Sequence, residues 1–249
     1  MKSNDVSTWE RLAVKDPYFG VLSDRKYLGR DLTGDLRAEF FESGVAYIDV
    51  LFKQLESTLG TIFSPERSLD FGCGVGRLLI PLASRSRQAC GVDVSISMIK
   101  EAKKNCAAAN ATNVTFSTSL QELLDEGASF DLVHSFIVFQ HIPVEEGYEA
   151  FLKLLKLLGP GGVAVLHFPY AKHHWSHDLA YWMVRYIPLA KNFLNLFTGR
   201  GFFYPRAQMN NYDLNRLFRI AYEFGIKTCS TRLIWDEGGL GAVITVRTD

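Results

Sequence analysis

Apolar residues recur at helical spacing through the first quarter of the chain, then give way to short apolar runs separated by helical stretches. Phe40, Phe41, Val45, Ile48, Leu51, Phe52 and Leu55 keep the three-to-four-residue period of one helix face. Upstream, Ser7-Thr-Trp-Glu10 has the form of a capping box, which predicts a helix start. Residues 7–60 therefore read as helical, interrupted at Asp16-Pro-Tyr-Phe-Gly20, a turn-rich joint with exposed aromatics. From residue 66 the period switches. Leu69–Phe71, Ala89–Val94, Val114–Phe116, Phe130–Val138 and Gly162–Phe168 read as strands. Helices are predicted between them at Arg77–Arg85, Ile96–Ala109, Leu120–Glu126 and Glu145–Leu158. The last is closed by the glycine and proline of Leu158-Gly-Pro-Gly-Gly162. Apolar strands alternating with helices predict a parallel sheet covered on both faces. After residue 209 come a helix at Tyr212–Phe224 and strands at Lys227–Trp235 and Leu240–Arg247, joined by a hairpin-like Asp236-Glu-Gly-Gly239.

The predicted fold is α/β: a doubly wound, mostly parallel seven-stranded sheet with an antiparallel edge strand. Four segments follow: a helical N-terminal cap at 1–62, the core at 63–168, an aromatic-rich insertion at 169–209, and a C-terminal helix with the last two strands at 210–249. Composition narrows the setting. The 27 Lys and Arg balance 27 Asp and Glu, so no overall field recruits nucleic acid or an anionic membrane. Cys73, Cys90, Cys106 and Cys229 share no metal-ligand or disulfide-framework spacing. With a polar N-terminus and no long apolar run, the expectation is a cytoplasmic protein with reduced thiols and no transmembrane helix.

The candidate chemistry centres on Asp70-Phe-Gly-Cys-Gly-Val-Gly-Arg77. Glycines at 72, 74 and 76 let backbone approach a ligand where a Cβ would collide. The helix that follows turns its N–H groups toward that ligand. A dinucleotide site would want G-x-G-x-x-G; here the spacing is G-x-G-x-G, and an acid precedes it. A second acid, Asp93, closes the next strand, where a carboxylate can accept two hydrogen bonds from a ribose diol.

Together these motifs resemble the class I S-adenosylmethionine-dependent methyltransferases, over roughly residues 66–168. Leu69-Asp-Phe-Gly-Cys-Gly-Val-Gly-Arg77 is similar to that family's first motif, and Gly91-Val-Asp-Val-Ser-Ile-Ser-Met98 to its second. Phe130–Ile142 is similar to its fourth-strand motif, and Leu158–Val163 to the turn before the fifth strand. The resemblance implies S-adenosylmethionine as cofactor. It implies that Asp93 binds the ribose, that Val94 and Met98 flank the adenine, and that Asp70 lies near the methionine amino group. Gly72, Gly74, Gly76, Arg77, Ser119, Leu120 and Ser135 complete the expected cofactor set. The family's acidic residue after the third strand is missing: Ser119 and Leu120 stand about where it would sit.

For the acceptor the expectations are His141 as general base, with Gln140, Tyr170 and Tyr212 as contacts. His134, mid-strand, reads as a satisfied core histidine. His141 has a second reading, as a residue that orders the turn before Pro143. Residues 169–209 hold ten aromatics and Lys172, Arg185, Lys191, Arg200 and Arg206 against one acid, Asp178. Three uses fit: a lid over a flat or apolar acceptor bearing an anionic group, a packing or homodimer contact, or a membrane-surface element. His173, His174 and His177 have partial metal spacing with no nearby acid except Asp178, so no metal is expected. Tyr18, Phe19 and Tyr27 either shield a sulfonium by cation–π contact or belong to the core. The expected activity is methylation of a small molecule, more on oxygen than nitrogen, because no Asn/Asp-Pro-Pro-Tyr tetrapeptide follows the fourth strand. The alternatives are an RNA or protein methyltransferase and a non-catalytic binding module.

Overall fold

A computed structural model describes residues 3–29, 32–172, 208–236 and 239–249. Most of the aromatic-rich stretch, with His173, His174 and His177, lies outside the described residues. The N-terminal segment forms α1 (Ser3–Lys15), α2 (Pro17–Val21) and α3 (Gly34–Leu59). There follow β1 (Arg67–Phe71), α4 (Leu79–Ser84), β2 (Gln88–Val92), α5 (Ile96–Ala108), β3 (Val114–Ser117), α6 (Leu120–Asp125) and β4 (Phe130–Ser135). After these come α7 (Val144–Lys156), β5 (Leu158–Lys172), α8 (Leu214–Phe224), β6 (Cys229–Asp236) and β7 (Gly239–Arg247).

The seven strands form one sheet in the order β3-β2-β1-β4-β5-β7-β6. The first five run parallel, and β7 pairs antiparallel with both β5 and β6. The edge is therefore closed by an antiparallel ladder, with the reversed strand one position in. Strand side chains alternate between faces. Val133, Ala164, Leu166 and Phe168 point into a core shared with α6, α7 and α8. Their neighbours Leu132, Val163 and Val165 pack against Ile48, Leu51, Phe52 and Leu55 of α3. Burial on both faces explains why these strands read as continuous apolar runs. The chain winds outward through β2 and β3, then returns to β4 beside β1. That reversal opens a crevice at the C-terminal ends of β1 and β4, where open α/β sheets bind ligands.

Two local expectations are corrected. The capping box does not start a helix at Ser7, because α1 already runs from Ser3. The Glu10 carboxylate serves another helix end, as described below. The joint at Asp16–Gly20 is not an exposed turn. Pro17 takes the first position of α2, where its missing N–H costs nothing, and Tyr18 and Phe19 are buried. Among the described residues no helix is long and apolar enough to cross a membrane.

Candidate active site

The crevice is a cleft between the sheet and the N-terminal helices. Its floor is the glycine loop. The N–H groups of Gly72 and Cys73 both donate to Val92 O, at 2.7 and 3.0 Å, which folds the loop over the end of β2. Gly72 has φ +77°, and a Cβ there would overlap the Val138 side chain. Gly74 has φ +51°, with Val21 Cγ2 2.6 Å from where a Cβ would lie. Neither position tolerates a side chain without remodelling.

Three charged groups face this floor. Asp93, just past β2, accepts from Gly74 N–H with Oδ2 and from Ser95 N–H with Oδ1, both at 2.9 Å. One carboxylate thus ties the glycine loop to the start of α5. Burial pushes its pKa up to about 6, against the pull of those two N–H donors. Asp70 on β1 is buried and receives His134 Nδ1 at 2.9 Å. Arg77 is also buried and donates from Nη1 to Ser43 Oγ at 3.3 Å. Its Nε has no partner among the described residues. Burial lowers the Arg77 pKa, and the Asp70 charge opposes that.

The roof comes from the N-terminal helices, with Trp9 and Val21 lining the cleft. Glu10 holds α1 in place. It accepts from Ser95 Oγ at 2.7 Å, from Ser97 N–H at 3.3 Å and from Ser97 Oγ. Burial would raise its pKa, but these donors outweigh burial and lower it. A carboxylate at the first turn of α5 also suits the positive end of the helix dipole.

The far wall is Phe136–Val138, where β4 ends earlier than expected. Ile137 adopts φ +61°, an unusual state for a β-branched residue, and its N–H reaches His167 Nδ1 at 3.3 Å. Beside it, His141 meets the Trp9 ring in an edge-on contact with centroids 4.9 Å apart. Gln140 Nε2 can only donate, so His141 Nε2 accepts at 3.1 Å, and Nδ1–H donates to Gln208 O at 2.9 Å. The ring is therefore neutral, and burial pushes its pKa down to about 4.

Residues 69–162 match the family described as "Methyltransferase domain". The ubiquinone biosynthesis O-methyltransferase of Mesorhizobium japonicum is 32% identical over 101 residues, covering 41% of this chain and 40% of that protein. The magnesium-protoporphyrin O-methyltransferase of Synechocystis sp. is 39% identical over 79 residues, covering 31% and 34%. The solved structure of the Synechocystis magnesium protoporphyrin IX methyltransferase, with bound S-adenosylhomocysteine, superposes with a TM-score of 0.63. That match is at 19% identity and covers 99% of this chain and 95% of that one. Residues 69–162 thus carry a methyltransferase domain, and the structural likeness extends to the fold of the whole chain. The chain spans about half or less of the length of the curated relatives it matches.

The methyltransferase domain gathers Asp70, Gly72, Gly74, Arg77, Asp93, Val94, Met98 and His141 around one cleft. The other expected site residues lie elsewhere, for identifiable reasons. Gly76 does not line the cleft; a Cβ there would meet Ala102 of α5 in ordinary contact, and its φ of +89° is what calls for glycine. Ser119 caps α6 by accepting from Gln121 N–H at 3.1 Å, and Leu120 is buried in the core. Ser135 is buried and donates to Phe71 O at 2.9 Å, which ties β4 to β1. Gln140 lies behind His141. Tyr170 is 45% exposed and does not line the cleft. Tyr18, Phe19 and Tyr27 pack in a core that joins the cap to Val75 and Met98. The cap aromatic that lines the cleft is Trp9, inside the Ser7–Glu10 motif.

Tyr212 is a correction of a different kind. Its buried hydroxyl lies 3.0 Å from both Phe139 O and Ile142 O, so it holds the His141 turn from behind. Asn210 does the same from N–H to Gln140 O at 2.8 Å and from Nδ2 to Ile142 O at 2.9 Å. Tyr212→Phe removes the one buried O–H donor that these two carbonyls share, leaving them Ile142 N–H and Asn210 Nδ2. It is expected to cost about 1–2 kcal/mol, seen as a melting temperature lower by about 5 °C in a thermal melt.

Proposed function

We propose that this chain transfers a methyl group from S-adenosylmethionine to a small-molecule acceptor, on oxygen rather than nitrogen. One observation carries the reading. Just past β2, Asp93 has both oxygens fixed by backbone N–H groups, beside a glycine floor that no side chain could share and the buried, oppositely charged Asp70 and Arg77.

The residues fit the donor. Gly72 and Gly74 leave room for close approach. Asp93 is placed to accept from a ribose diol, while Val94 and Met98 offer apolar surface for a purine. The unpartnered Nε of Arg77 suits a carboxylate, and Asp70 suits an ammonium group. When bound, the donor supplies a methyl group already activated on a sulfonium. The protein's work is then to align the acceptor and exclude water. Trp9 and Val21 close the cleft from above. His141 is neutral, with both nitrogens engaged, and its depressed pKa makes it a weak base at neutral pH. Its placement supports ordering of the acceptor wall over proton abstraction. The names of the relatives, O-methyltransferases of ubiquinone biosynthesis and of magnesium-protoporphyrin, support a small-molecule acceptor.

The test is turnover. Protein incubated with S-adenosylmethionine and a metabolite extract is expected to produce S-adenosylhomocysteine, with a matching product heavier by one methyl group on oxygen. Binding of the donor without any turnover across acceptor pools contradicts the proposal.

A further inference from the structure

We infer that Tyr47 and His134 are positioning residues, which aim the Asp70 carboxylate at the ammonium of an amino-acid group in the cleft. The inference rests on the donor reading above and goes beyond it to a polar chain behind the site. Asp70 and His134 are side-by-side partners on β1 and β4. His134 Nδ1 lies 2.9 Å from Asp70 Oδ1, and His134 Nε2 lies 3.1 Å from the Tyr47 hydroxyl on α3. His134 is fully buried and Asp70 nearly so.

The direction of the chain is fixed by the carboxylate, which can only accept. The Nδ1–H of His134 therefore donates to Asp70 Oδ1, and Nε2, which then carries no proton, accepts from the Tyr47 hydroxyl. Burial keeps the Tyr47 phenol protonated. His134 thus fixes the carboxylate from behind through Oδ1, and Asp70 lines the cleft. Packing alone gives no reason for this arrangement. Leu132, on the same strand face, fills its place with an apolar side chain. A buried imidazole and carboxylate cost desolvation that a second leucine would avoid.

The same face of α3 also sets the opposite charge. Ser43 accepts from Arg77, and Gly44 lies against the Arg77 carbonyl. Ser43 and Tyr47 stand four apart, one turn of the helix. One helix therefore holds both an anion and a cation toward the cleft, the complement of a zwitterionic amino acid.

Two ligands separate positioning from structural support. S-adenosylhomocysteine carries the amino-acid end; 5′-methylthioadenosine has the same nucleoside and sulfur without it. His134→Leu is expected to weaken S-adenosylhomocysteine about tenfold, as for loss of a charge-assisted hydrogen bond. Tyr47→Phe should weaken it about threefold, and His134→Asn, which retains a donor near Nδ1, should recover most of the affinity. Affinity for 5′-methylthioadenosine should change less than about twofold in all three. Equal losses for both ligands, or no loss for either, overturn the inference. Tyr47→Phe is nearly isosteric, so its result stands even if His134→Leu fails to fold. A wild-type protein that binds 5′-methylthioadenosine as tightly as S-adenosylhomocysteine also overturns it, while leaving the nucleoside site intact. Binding of neither overturns the donor reading itself.

Discussion

Gly44→Ala is expected to lower the melting temperature by about 10 °C and to weaken donor binding with it. In a solvent-facing helical turn the change would be mildly favourable, by about 1 kcal/mol, because alanine is the better helix former. Here the added Cβ would overlap the Arg77 carbonyl and come within 3.0 Å of the Arg77 carbonyl carbon. These are backbone atoms of the turn that leads from the glycine loop into α4, and they cannot rotate away. Either α3 backs off the sheet or the loop is pushed into the cleft. Overpacking of this kind costs about 3 kcal/mol, and each kcal/mol corresponds to about 2–4 °C in a chain of this size. Separation of α3 also breaks Ser43 from Arg77 and Tyr47 from His134. A thermal melt decides the sign: a stabilised Gly44→Ala protein would show that α3 does not dock here.

Asp93→Ala is expected to raise the dissociation constant for the donor by about 100-fold or more. The substitution removes acceptors for the ribose and also frees Gly74 N–H and Ser95 N–H, which then no longer hold the loop against α5. Two charge-assisted bonds of about 1.5–3 kcal/mol each account for a loss of that size. The same carboxylate predicts a pH dependence. Its pKa is about 6 in the free protein, so below that it carries a proton that binding must expel. Affinity should hold from pH 8 to 7 and then fall as pH drops through about 6, approaching tenfold per unit below it. A carboxylate near its ordinary value would keep full affinity down to about pH 4. Asp93→Asn should bind weakly and show no such limb. Calorimetric titrations with S-adenosylhomocysteine from pH 5 to 8 check both points.

The floor of the cleft was legible because its residues are local in sequence. Asp70, the alternating glycines and Asp93 lie at strand ends, within two consecutive strand–turn–helix units, and each residue type answers a demand of close approach or charge. The rest depends on contacts between distant segments. Glu10 looked like a capping residue for its own helix, but it serves the N-terminus of α5, a tertiary choice that short-range pattern does not contain. Trp9 lies inside that same four-residue motif, and nothing local says which surface its helix will cover. The turn at 139–142 is held by Gln208, Asn210 and Tyr212, some 70 residues away. Tyr212 was expected at the acceptor, and burial turned it into a brace. His134 was rightly read as a satisfied core histidine, yet its partners, Asp70 and Tyr47, connect the core to the cleft. Strand length was the other shortfall: β4 stops at Ser135 because Ile137 leaves the extended region, and that departure shapes the far wall.

The most direct test of the account is isothermal titration of S-adenosylhomocysteine into the wild-type protein and into Asp93→Ala at pH 7.5, with NAD as the control ligand. The account predicts one binding site on the wild type, a loss of affinity of about 100-fold in the variant, and no binding of NAD. Binding of NAD without S-adenosylhomocysteine, or equal binding of S-adenosylhomocysteine by both proteins, would contradict it.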